Sequence, residues 1–279
     1  MTLVINDITS GPDDPPKVEL LLTDLDSAVA SVTGYRLSSG VEEEVSGIIR
    51  ARVAGAGSWI DHEVPAQRST YRFELFDAAG VSLGFTESAS IELGFSGCWM
   101  HSSLAPSTAV KVSLAASATA SLSRPVPGSV VYPKGRRVGV VVAGPRRGLS
   151  GVVFDVRAED LETADKIQGF LGSEVSPTVP VLCIRMGVDH AGVRVRSPLF
   201  LAVFDIAEES INVAWGGGED TMQRIQGDEA ARPAPGIFIP LLRRKDLNAY
   251  YASRAALNSS YLTRLAANRD YPLAGYSGD

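Results

Sequence analysis

Thr70-Tyr-Arg-Phe-Glu-Leu-Phe76 alternates polar and apolar residues almost without a break. Successive side chains on a strand point to opposite faces, so Tyr71, Phe73 and Leu75 share one face and Thr70, Arg72 and Glu74 the other. Asp77-Ala-Ala-Gly80 follows as a hairpin connection, with glycine where positive φ is tolerated, and residues 81–93 are expected to return as the partner strand. Upstream, residues 17–24 and 29–37 also alternate, Ser38-Ser-Gly40 makes a turn, and residues 45–53 close on Gly55-Ala-Gly57. Trp59-Ile-Asp-His-Glu-Val64 is a further strand, ended by Pro65, which cannot donate to a ladder. Seven short strands with turn chemistry between them and no helical period predict a β-sandwich over residues 1–95.

Beyond it the composition changes. Cys98-Trp-Met-His101 leads into a run of small residues, which places a boundary near Gly94–Gly97. Ser129-Val-Val-Tyr132 and Arg137–Ala143 read as strands, Gly144-Pro-Arg-Arg-Gly148 as a turn, and Gly151–Arg157 as the partner across it. Residues 158–171 place Leu161, Ala164, Ile167, Phe170 and Leu171 on one helical stripe, stopped by Gly172. Residues 180–185, 193–206 and 210–215 complete the sheet. Lys245–Ser253 and Ala255–Asn268 read as two short helices, with Tyr261, Leu262 and Leu265 on one face. The expected fold is mostly β: an N-terminal sandwich (1–95), a β domain with one flanking helix (96–242) and a C-terminal helical tail (243–279).

The 279 residues suffice for two domains, and 45% hydrophobic with 21% charged residues marks a globular chain. A net charge of −6 gives no general reason to bind nucleic acid or an anionic membrane, and neither is expected as a partner. The N-terminus shows no basic region followed by an apolar run, and no stretch reaches the roughly 18 apolar residues of a membrane span. Cys98 and Cys183 are expected to be buried free thiols.

The search for chemistry gives little. His62, His101 and His190 lie in different segments, without metal-site spacing. There is no Gly-x-Ser-x-Gly elbow, and nothing pairs either cysteine with a base. Gly216-Gly-Gly-Glu-Asp220 lacks the lysine and Ser/Thr of a phosphate loop. Glu42-Glu43-Glu44 reads as a solvated run. No enzyme activity, cofactor or metal is therefore expected. Basic turns stand out more: Arg136 and Arg137, Arg146 and Arg147, and Arg243 and Arg244 at the start of the tail. They read as ordinary solvated turns, as inter-subunit contacts, since arginine forks suit the carboxylates of a neighbour, or, against the acidity of the whole chain, as the lining of a DNA channel.

The succession Gly34-Tyr-Arg36, Trp59-Ile-Asp-His-Glu-Val-Pro65 and Thr70–Asp77 resembles a fibronectin type III-like domain. Cys98–His101, Arg124-Pro-Val126, Gly135-Arg-Arg137, the strand–helix–strand of 150–185 and the closing helices, in that order, resemble actinobacteriophage minor tail proteins with a tail-tube-like domain. In this chain the sandwich precedes the tube-like part instead of following it. The resemblance implies a structural component of a siphophage distal tail or tail tip. Such a component forms a ring or collar of three or six copies, contacts other tail proteins, and resides in the virion after synthesis in the host cytoplasm. Trp99, Tyr261 and Leu265 are then candidates for interface or packing. The alternative is a carbohydrate-binding sandwich facing a host cell-surface glycan, with Trp59, Trp99 and Trp215 as available platforms.

Overall fold

The computed structural model describes residues 1–173, 178–211, 220–233 and 244–261. The chain divides into two compact units, Met1–Pro233 and Ala234–Asp279. The first is mostly β.

Its N-terminal part is a two-sheet sandwich. In one sheet β2 (Val18–Thr23) lies between β1 (Thr2–Asp7) and β6 (Gly57–Asp61). In the other, β3 (Ser31–Ser38) pairs with β4 (Val41–Glu44) and β5 (Ala51–Arg52) on one side and with β7 (Arg68–Phe76) on the other. The return after Gly80, whose φ is +82°, is split in two: β8 (Ser82–Phe85) pairs with the end of β7 and β9 (Ala89–Glu92) with its start. The alternation of 70–76 works as the sequence suggests. Tyr71, Phe73 and Leu75 are buried against Val18, Leu20 and Leu22 of the opposite sheet. Trp59 covers this core, its ring 5.5 Å from that of Phe73.

The second part closes on itself. β10 (Cys98–Ser102) pairs with β11 (Val110–Leu114) and with β16 (Val181–Met186). β11 pairs with β15 (Val156–Ala158), which pairs with β19 (Thr221–Glu229). β16 pairs with β17 (Leu199–Ala202), and β17 returns to β19 through Leu201–Glu229 and Ala202–Asp228. These six strands form an antiparallel barrel, extended along β19 by β14 (Val152–Val153) and β18 (Ile206–Ser210). Cys98, Met100, Leu182, Ile184, Leu199 and Leu201 fill the interior. A helix, α1 (Leu161–Gly169), seals it with Ala164 and Ile167, and Phe170 follows at its C-terminal end. Asp160 caps the helix by accepting from the Thr163 backbone N–H at 2.7 Å. Ile167→Val, which removes one methyl from a fully buried position, is expected to cost about 1 kcal/mol in urea denaturation. An unchanged midpoint would mean that α1 does not close the core.

Two sequence expectations are corrected here. Arg137–Ala143 does not pair with Gly151–Arg157. Strand β13 (Val140–Ala143) pairs instead with β12 (Gly128–Val131), while 152–158 enters the barrel. The reason is burial: Val152, Phe154 and Val156 are fully buried, whereas four consecutive apolar residues at 140–143 offer no one-sided face to a core. Residues 193–206 are not one long strand either. β17 begins only after Pro198, which lacks an N–H for the ladder, and its side chains form barrel wall.

In the second unit, α2 (Arg244–Tyr250) and α3 (Arg254–Ser260) are joined through aromatic contacts. The Tyr251 hydroxyl donates to that of Tyr261 at 2.9 Å, and the two rings meet edge-on.

Candidate functional site

The chain leaves the barrel after β11 and re-enters it at β14, and between them it builds an arm. The arm starts at an isolated bridge between Ser123 and Ser150. The ladder continues through Arg147 N–H to Pro125 O at 2.9 Å and Gly144 N–H to Pro127 O at 2.8 Å, then through β12 and β13. From the bridge to the last pair, Val131–Val140, the arm spans roughly 25 Å at the usual rise of a strand. Residues 132–139 form the tip.

All eight residues of β12 and β13 are exposed. The register sets Val130 against Val141 on one face and Val131 against Val140 on the other. Neither face is covered by a described residue. Val141 is 70% exposed, and at the tip Tyr132 is 68% and Val138 78% exposed. Soluble proteins bury such apolar surface or reserve it for a partner.

The two basic turns lie at opposite ends of β13. Lys134, Arg136 and Arg137 are at the exposed tip, and Arg146 and Arg147 are at the base. There the Arg146 Nε donates to Arg124 O at 3.3 Å, and Arg124 donates to Arg194 O at 3.0 Å, which fixes the arm to the body. Arg244 opens α2, at a distance in sequence from this cluster. Arg243 and Leu265 lie outside the described residues, as does Trp215. Tyr261 packs against Tyr251 within the second unit. Trp99 is buried on the outer face of the barrel wall, so its ring is packing and cannot serve as a glycan platform.

That outer face meets the sandwich in a seam with buried charge. Arg185, fully buried, donates to Pro16 O at 2.6 Å and to Val64 O at 3.3 Å. Arg232 donates to Glu63 at 2.9 Å and also reaches the Glu44 carbonyl. Beside Arg185, His101 sets its Nδ1 2.9 Å from the Ser102 carbonyl. That contact assigns the proton to Nδ1 and leaves Nε2 without a partner. Burial, with the Arg185 charge, pushes His101 down to about 3. Within the sandwich, the Arg36 Nη1 donates to the Asp61 Oδ2 at 2.5 Å, and the Tyr71 hydroxyl donates to the same oxygen at 2.8 Å. Burial, the largest single influence, raises the Asp61 carboxyl, but the Arg36 guanidinium, the Glu63 backbone N–H and the Tyr71 hydroxyl together outweigh it and hold the group below its ordinary value.

The remaining chemical candidates are dispersed. Cys98 points into the barrel and Cys183 to its outer face, both as buried free thiols, and burial pushes Cys98 up to about 12. Glu42 and Glu43 are not a loose run: they lie on β4 and are answered by Arg72 at 2.7 Å and by Arg196. Among the described residues no three His, Cys, Asp or Glu side chains converge as a metal site. No described helix is long and apolar enough to cross a membrane.

The arm is missed by sequence reading because Arg137–Ala143 reads as the partner of Gly151–Arg157 and not of Gly128–Val131. The available signal was a stretch of valines with no alternation and no acidic residue. No family model matches the chain, and no curated protein matches it in sequence.

Proposed function

We propose that this chain is a structural, self-assembling subunit without catalytic activity, and that the assembly is the distal tail or tail tip of a siphophage. The observation that carries this reading is the arm at 124–148, which presents valine on both faces and five exposed cationic side chains, Lys134, Arg136, Arg137, Arg146 and Arg147, to solvent. An uncovered apolar hairpin has its natural use in contact with another chain. The strand order of the N-terminal sandwich, with β2 between β1 and β6 and with β3 and β7 central in the facing sheet, supports the fibronectin type III-like reading of that part. The closed barrel with its single sealing helix supports a rigid body from which rings can be built.

Mass photometry of the full chain across a dilution series tests the assembly. A discrete trimer or hexamer is expected, and a monomer at every concentration would remove the self-assembling reading. Antibody labelling of particles of the encoding phage, viewed by negative stain, tests the place of assembly. Label at one end of the tail is expected; label on the capsid or none would remove the tail assignment.

A further inference from the structure

We infer that the 124–148 arm of one copy docks on the acidic segment Phe204–Ser210 of a second copy. The inference rests on the self-assembly reading above and names its contact. A two-stranded hairpin with no covered face is marginal in water on its own. The Gly128–Ala143 ladder therefore calls for a surface that the same chain does not supply within the described residues.

Charge selects that surface. Arg124, Lys134, Arg136, Arg137, Arg146 and Arg147 lie between Arg124 and Phe154, and no Asp or Glu does. The rest of the chain holds the other twenty Lys and Arg against all 32 Asp and Glu, a net of −12. A cationic arm on an otherwise acidic chain finds its complement on every further copy, and this charge match steers the copies together.

The fold selects the place. Among the described strands β18 pairs with β19 alone, so its other edge is open. The Ile206 carbonyl on β18 already accepts from Gln168 at 3.2 Å, which leaves Ala207–Ser210, all exposed, for strand addition. Phe204, just before β18, is 82% exposed and adjoins Asp205. The arm's valines cover Phe204, and its tip arginines meet Asp205 and Glu208. Glu209 is already held by Arg224 at 2.9 Å, and Glu208 accepts from the Gln223 side chain at 2.8 Å through Oε2, which leaves its Oε1 for the arm. Arm and β18 are different surfaces, so the contact is heterologous, the kind that builds a ring when the rotation between copies closes and a filament when it does not.

The test uses the full chain and a matched pair of charge reversals. Arg136→Glu/Arg137→Glu, and separately Asp205→Lys/Glu208→Lys, are expected to raise the concentration of half-assembly at least tenfold, and the four substitutions together are expected to recover most of that loss. A photo-crosslinking residue at Val141 in the otherwise unaltered chain, indifferent to whether the reversals fold, should join a peptide containing Phe204–Ser210 of another copy. Assembly unaffected by either reversal, or crosslinks to a different region, overturns the docking while self-assembly stands. A full chain that stays monomeric overturns both. Capture of a short DNA duplex that disappears with Arg136→Glu/Arg137→Glu, with assembly intact, would make the arm a nucleic-acid element and overturn the docking alone.

Discussion

Asp61→Ala is expected to lower the stability of the folded chain by about 3–5 kcal/mol, because it leaves the buried Arg36 guanidinium with only a longer contact, 3.6 Å to Glu43, in place of its close partner. Arg36 is 1% exposed and Asp61 1% exposed, and Oδ2 of Asp61 takes both the guanidinium and the Tyr71 hydroxyl. Those two bonds tie the end of β6 to the strand pair β3–β7, and the other oxygen accepts from the nearby Glu63 backbone N–H at 2.8 Å. A double variant, Arg36→Met/Asp61→Leu, removes both charges and is expected to recover most of the loss. Urea denaturation of the three proteins decides the matter. If Asp61→Ala costs less than about 1 kcal/mol, the pair is not the polar keystone of the sandwich.

Stability is also expected to fall between pH 6.5 and 4.5, and the fall is expected to trace to histidine. His101 is held down to about 3 in the fold, against an ordinary histidine value of about 6.5 in the unfolded chain. Between those values the unfolded chain binds a proton that the folded chain refuses. Stability is therefore intact above about 6.5 and is lost as pH falls, by about 1.4 kcal/mol per pH unit for one full proton. His62, half-buried and lowered mainly by burial, adds in the same direction. Besides burial, the groups acting on His101 are Arg185 and His62, which oppose its protonation, and the Ser102 carbonyl and Asp61, which favour it. Asp61, being depressed, contributes only below the ordinary carboxylate range, so the window above 4.5 belongs to the histidines. His101→Asn keeps a donor for the Ser102 carbonyl and removes the titration, and its pH slope should be shallower. Equal slopes for the two proteins would mean that His101 takes up its proton without unfolding.

What was legible in the sequence follows from which patterns have a single physical meaning. The alternation of Thr70–Phe76 can serve only a strand with one buried face, and it located the sandwich core. The stripe through Ala164 and Ile167 located α1. The valines of 128–143 had no such single meaning. A continuous apolar run fits a strand buried on both faces as well as one exposed on both, and only the tertiary structure distinguishes them. The barrel is likewise hidden, because its closure depends on β17 meeting β19 through distant pairs such as Leu201–Glu229 that no local pattern announces. The arginine pairs were found as residues, but their arrangement at the tip and base of one hairpin needed the register of β12 on β13.

The way the arm is attached bears on how such a protein can be altered. β11 and β15 pair directly, Ser113 with Arg157 and Leu114 with Val156, beneath the point where the arm departs. Barrel closure therefore needs none of the residues from 124 to 148. The hairpin is a cassette spliced into a turn between two adjacent staves. It can lengthen, shorten or change its side chains while the barrel beneath it keeps every rung, so a lineage can retune what it grips without refounding the fold that carries it.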